Sequence, residues 1–181
     1  MCYPKGISFM TVRSTIEQAA KSVAGVLNPG AEPSNDILDT LQEEHDEVQE
    51  LLQKLTESES AAEQKSLLNK VKLALVPHTK AEEATVYDRV AALRDEKAKI
   101  DGAEGYTEHA LASATLMQLG KLSPNTPEFK ANAKVLKELV DHHVKEEERT
   151  IWSQVKENFS DEQRAQMNRD FLAAKKSVPI P

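Results

Sequence analysis

Apolar residues recur along this chain at alternating steps of three and four, the period of one helical face, in long stretches separated by short polar breaks. The first stretch, Thr11 to Leu27, puts Val12, Ile16, Ala19, Ala20, Val23 and Leu27 on one side and ends at the turn-rich NPGAEPSN. The next starts at the cap-competent Ser34–Asp36 and carries Ile37, Leu41, His45, Val48, Leu52 and Leu55. A third, from about Ala61, runs through Leu68, Val71, Leu75, His78, Glu82, Val86 and Arg89; Pro77 removes a backbone donor inside it and predicts an interruption and a bend just before His78. DEKAKIDGAEG, with Gly102 and Gly105, reads as the central loop. A fourth face presents Tyr106, His109, Ala112, Leu116 and Leu119 and stops at Gly120. The fifth opens with Thr126 as cap and Pro127 in the first turn, and its seam is Leu136, Val140, His143, Glu147 and Ile151. SDEQ at 160–163 matches a capping box that starts a last short helix reaching about Ala174.

No stretch alternates with the period of two that a strand needs, so the pattern predicts an all-α protein. The expected organisation is an N-terminal helix and linker (1–33), a helical domain (34–175) and a tail (176–181).

The pattern also repeats. HTKAEEATVY (78–87) aligns without gaps on HVKEEERTIW (143–152), matching His78 with His143, Glu82 with Glu147, Glu83 with Glu148 and Thr85 with Thr150, and closing each stretch with an aromatic, Tyr87 or Trp152. Upstream, EEHDEVQELLQKL aligns on TEHALASATLMQL, matching His45 with His109 and Leu52 with Leu116. Two helical hairpins of one design, each with one face to bury, predict an up-down-up-down four-helix bundle with extra helices at the N- and C-terminal sides.

Each hairpin brings a single His from its first helix and a His-x-x-x-Glu pair from its second. A spacing of four puts both members of the pair on one face, about a turn apart. His45, His78, His109, His143, Glu82 and Glu147 therefore converge on the expected core. Burying carboxylates without partners costs several kcal/mol or more, which a bound cation offsets. Imidazole and carboxylate donors without thiolate suit iron, manganese or zinc. Glu83, Glu146 and Glu148 fit a solvated acidic face, and His142 fits a surface pair with Glu138. Tyr87 and Trp152 are expected to plug the bundle end.

The spacing H…HxxxE…H…HxxxE over four helices, covering about residues 35–170, resembles the hemerythrin-like family, also called the HHE cation-binding domain. The resemblance implies two iron ions joined by an oxo or hydroxo group. His45, His78, His109 and His143 match the family's imidazole ligands, and Glu82 and Glu147 match its bridging carboxylates. Oxygen-carrying members have a further His four residues after the third-helix His, where this chain has Ser113. The resemblance thus implies open metal positions and the binding of, or reaction with, dioxygen, hydrogen peroxide or nitric oxide, in stress defence or sensing. A catalase- or peroxidase-like activity belongs to this expectation; iron sequestration, or a structural bundle holding zinc, is the alternative. Tyr106, one turn before His109, is expected either to hydrogen-bond a bound oxygen species or to be plain core.

Composition narrows the rest. A formal charge of −7 without a clustered basic footprint argues against nucleic acid as a partner. No apolar run is long enough to span a membrane, and the start MCYPKGISFM lacks the apolar region of a secretory signal. The one cysteine, Cys2, permits no intramolecular disulfide, and the expected compartment is the cytoplasm. Lys5, Arg13 and Lys21 against Glu17 make organellar import the minor alternative.

Overall fold

The computed structural model describes residues 35–180 of the chain. The helix expected over Thr11–Leu27 and the linker after it lie outside the described residues.

All regular structure among the described residues is helical. Four caps fix the starts of the long helices. Asp36 accepts a hydrogen bond from Leu38 N (3.0 Å) to open α1, Ile37–Glu57. Ser60 accepts from Glu63 N to open α2, Ala61–Glu82, which runs on through a π-helical turn, Glu83–Tyr87, into the short α3, Asp88–Ala91. Asp95 accepts from Ala98 N (2.8 Å) at the head of α4, Glu96–Leu119. Thr126, with Pro127 in the first turn, opens α5, Pro127–Arg149. Each cap satisfies one amide that the helix itself leaves free. After a break at Thr150 come α6, Ile151–Asn158, and α7, Asp161–Ser177; α7 begins at the reciprocal Ser160–Gln163 capping box expected from SDEQ.

Short connections make successive rods antiparallel, giving the up-down-up-down bundle: α1 packs on α2, α4 on α5, and α1 on α5. The C-terminal helix α7 lies against α1, α2 and the π-turn, so it covers only the side of the bundle built by the first hairpin. The core falls into two apolar clusters. One holds Val48, Leu52, Val71, Leu116, Phe129 and Leu136; the other holds Ile37, Leu41, Val86, Val90, Ile151 and Phe171. On α1, α2 and α4 the change from one cluster to the other occurs at a histidine, and His143 and Glu147 of α5 fall between Val140 and Ile151, so a polar layer separates two apolar ones.

Three expectations are corrected here. The segment 95–105 is not the central loop but the first turns of α4, and the loop is the shorter Ala92–Asp95. Its glycines are helical residues, and a Cβ added to Gly105 would lie 2.6 Å from the Tyr87 ring. Pro77 does not interrupt its helix, since α2 continues to Glu82, held by burial on both sides of the proline. The irregularity falls later, at the π-turn. The extra residue in that turn rotates the helix beyond it, so Tyr87 and Val90 enter the core, while Arg89, placed on the seam from sequence, reaches out to the Thr85 carbonyl (2.9 Å) and to Asp170.

Candidate metal centre

The polar layer is built from six side chains that helical register alone points inward. His45 sits between Leu41 and Val48 on α1, and His109 one turn before Ala112 on α4; His78 with Glu82 on α2, and His143 with Glu147 on α5, each occupy positions one turn apart. All six are buried, from 0% exposure at Glu82 to 7% at His143. The structure brings the whole expected set together.

The Nε2 atoms and the carboxylates face one another. Glu82 Oε2 lies 3.4 Å from Nε2 of both His78 and His109, so it stands between a histidine of each hairpin. Glu147 Oε2 does the same for His45 (3.4 Å) and His143 (3.5 Å). The His109 and His143 Nε2 atoms are 2.9 Å apart. Possible ligand atoms of His45, His78 and Glu82, and again of Glu82, His109 and His143, lie within 4.8 Å of one another. None of the four oxygens of Glu82 and Glu147 has a hydrogen-bond partner, nor does His45 Nε2. Carboxylates this deeply buried without donors are unfavourable by themselves; they suit a site completed by cations.

The outer ring nitrogens are all occupied. Nδ1 meets a carboxylate on each histidine: Glu148 at 3.2 Å from His45, Glu44 at 3.0 Å from His78, Glu83 at 3.2 Å from His109 and Glu108 at 2.8 Å from His143. A carboxylate on Nδ1 holds the proton there and leaves the Nε2 lone pair directed at the centre, the tautomer a metal requires. In each case the carboxylate comes from a different helix than its histidine, or from the turn that follows one, so the braces also tie the bundle together. Aromatic rings complete the layer: Trp152 stacks on His45 (5.8 Å between centroids), Tyr87 on His109 (5.2 Å), and Phe171 of α7 sets its edge against His78 (5.9 Å).

Electrostatics follow from this geometry. Burial opposes charge on His45 and His143, but the carboxylates on both ring nitrogens outweigh it and lift the imidazoles to about 10 and about 9. Burial would raise Glu82, yet the imidazolium charge of His78 and the His109 ring 3.4 Å away hold it well below the ordinary carboxylate range. Without cations, protons on the rings neutralise the acids; with cations, those protons must leave.

Several sequence expectations are corrected at this site. Glu83 and Glu148 are not a solvated face: they brace His109 and His45. Glu146 is half-buried at the mouth of a crevice and pairs with Arg149 rather than with a histidine of the layer. Glu44 and Glu108 lie off the inward seams, and the sequence marks them only by repetition: each directly precedes the single histidine of its hairpin's first helix. His142 is exposed as expected, but its partner is Glu108 (3.3 Å), while Glu138 pairs with Lys134. Tyr106 does not reach the centre: its hydroxyl donates to Asp88 (2.7 Å) and to the Glu83 carbonyl (3.2 Å). Tyr87 and Trp152 lie on the histidines themselves rather than merely closing the bundle end. Ser113 is half-buried one turn past His109 on α4.

No helix among the described residues is long and apolar enough to cross a membrane. A DNA nickase of Nostoc sp. is 29% identical to this chain over 168 residues, which are 92% of the chain but 47% of the nickase. The chain thus spans about half the length of that curated relative. No solved structure matches the sequence significantly. Residues 36–155 match the family described as the hemerythrin HHE cation binding domain, and they include every inward-facing histidine and glutamate of the polar layer. The chain belongs to the hemerythrin HHE cation-binding domain family.

Proposed function

We propose that the chain is a non-haem di-iron protein that binds or reacts with small oxidants, namely dioxygen, hydrogen peroxide or nitric oxide, in stress defence or sensing. The observation that carries the reading is the facing of four braced Nε2 atoms by two carboxylates whose oxygens lack donors. In this reading His45, His78, His109 and His143 would supply the ring nitrogens, and Glu82 and Glu147 the carboxylates, that hold two metals. Four imidazoles and two carboxylates are fewer donors than two six-coordinate ions take, so an exogenous ligand would have room to bind, and Ser113 in place of a further imidazole is consistent with such openness.

Bound iron would supply the electrons for reaction with an oxidant. The chain's own groups do the rest. Glu44, Glu83, Glu108 and Glu148 orient the imidazoles and raise their basicity. Tyr87, Trp152 and the two apolar clusters keep bulk water from the centre. The two crevices that reach the layer have volumes of about 10 and 20 Å³, room for a water-sized molecule and no substrate larger than that.

Protein purified from its own host, analysed for metals and by optical spectroscopy, tests the reading. Two irons per chain and near-ultraviolet absorption that dithionite bleaches are expected; zinc with a featureless spectrum would establish the structural alternative instead. Oxygen evolved on adding peroxide would assign the enzyme form, and a reversible stoichiometric colour change with oxygen the binding form.

The likeness to a nickase favours a second reading, metal-dependent cleavage of a DNA strand. A phosphodiester must reach the metals for that chemistry, and the buried layer with its narrow crevices weighs against it here. Conversion of supercoiled plasmid to open circles by the iron-loaded chain, abolished in a Glu82→Gln variant, would favour this reading over the first.

A further inference from the structure

The two crevices reach the polar layer from opposite hairpins, and they are not alike. One opens between α4 and the junction of α5 with α6. Its inner wall is His143, Glu147 and Tyr87, and its rim includes Asp101, Glu104, Glu108 and Glu146. The other opens beside α1 and α2, with His78 inside and Glu44, Glu47 and Lys175 at the rim. There Lys175 of α7 binds Glu44 at 2.6 Å, and Phe171 covers His78. The repeat makes the hairpins equivalent, but α7 stoppers only the first.

We infer that the acid-rimmed crevice beside Gly105 and Thr150 is the port through which divalent cations reach the metal positions, and that the crevice under α7 is not. The inference rests on the metal reading above. Two observations carry it together. Glu147 lines the inner end with both oxygens unpartnered while 3% exposed, so an acceptor without a donor waits at the bottom of the passage. At the mouth, Asp101 and Glu146 are each offset by a cation, Lys97 (2.6 Å) and Arg149, and Glu108 leans on the two histidines His142 and His143; Glu104 is exposed and adds a further negative charge. The rim therefore keeps a net negative charge, with no lysine or arginine among the residues lining that passage; at the opposite mouth Glu47 is also exposed, but Lys175 pairs with Glu44 across the opening and Phe171 covers His78, so the way inward is blocked there.

The size of the passage gives these acids a chemical task. A hydrated divalent ion does not fit about 10 Å³, so it must exchange waters for other oxygens as it enters. Carboxylates at the rim supply those oxygens, and the imidazole of His143, at 7% exposure the most accessible of the six inward groups, stands next in line. Gly105 keeps the wall low where a side chain would run into Tyr87.

The test uses the full-length chain stripped of metal and ferrous iron added anaerobically. Trp152, the one tryptophan in the sequence, stacks on His45 and reports filling by a change in fluorescence. Glu104→Lys at the rim should slow filling several-fold at low ionic strength, with the difference shrinking in high salt, because the effect is one of steering. Glu47→Lys, an equally exposed change at the opposite mouth, should leave the rate unaltered. The final iron content should be the same in all three proteins. Equal rates for Glu104→Lys and the parent, or slowing by Glu47→Lys instead, with normal iron content, would overturn the port and spare the metal reading; a parent chain that takes up no iron would overturn both.

Discussion

The residue that carries most information about this site is a neighbour of a ligand. Glu148 follows Glu147 and lies about 100° around the helix, which on a wheel assigns it to solvent. It nevertheless accepts from His45 Nδ1, because the edge of one helix faces the flank of the next and a long side chain closes the gap. The His45 hydrogen bond outweighs the opposing effect of burial and holds the Glu148 carboxyl below its usual range. Glu83→Gln and Glu148→Gln, which keep shape while removing charge, are each expected to weaken metal binding about 10- to 100-fold. Glu146→Gln should leave affinity unchanged. Competition against a chelator of known strength measures all three. The inward six were legible from sequence because seam position and repeat agree; the four braces were not, because pairing across helices has no period. The repeat alone held the clue: Glu44 matches Glu108, and Glu83 matches Glu148.

At the scale of elements, caps and seams placed α1, α2, α5 and α7, whose starts are written in one polar side chain and whose faces run in aliphatics; α4 begins earlier than its seam suggested, at the Asp95 cap. Glycine and proline were the misleading letters. Gly102 and Gly105 lie in the same helix, but a Cβ on Gly102 meets nothing within 4 Å, while one on Gly105 meets Tyr87 Cε2 at 2.6 Å. Gly102→Ala is therefore expected to stabilise the fold by about 0.5–1 kcal/mol through the unfolded chain. Gly105→Ala should destabilise it by roughly 1–3 kcal/mol, as the Tyr87 ring must leave its stack on His109. Urea unfolding of the two variants beside the parent checks both signs. The π-turn was likewise invisible, yet Thr85 marks it: its hydroxyl donates to the Ala81 carbonyl (2.7 Å), and Thr150, its counterpart in the repeat, donates to Glu146 (2.8 Å) where α5 breaks. Both departures from α-helix come after a His-x-x-x-Glu pair and swing an aromatic ring onto a histidine of the adjoining helix.

For the whole molecule, the polar layer ties folding to protons and to cations in opposite senses. In the metal-free chain His45 and His143 stand at about 10 and about 9, above the ordinary histidine value of about 6.5. Their contribution to stability is therefore complete below about pH 6.5 and is lost as pH rises through 9 to 10. Glu82 and Glu44 are held below their usual range, in both cases against burial and by imidazolium partners. Their contribution is present above about pH 4.5 and is lost as pH falls through their lowered values. The metal-free chain should thus be most stable between about pH 4.5 and 6.5 and melt at steadily lower temperature toward pH 10. Metal reverses the alkaline limb, because it binds the deprotonated rings and its affinity rises as protons become scarce. A cation at a hundred times its dissociation constant adds about 2.7 kcal/mol, which for a chain of this size raises the midpoint by about 5–10 °C. That gap should widen from pH 6 to pH 9. Scanning calorimetry in chelator and in metal at the two values measures it, and a gap independent of pH would mean that the cations bind somewhere other than on these imidazoles.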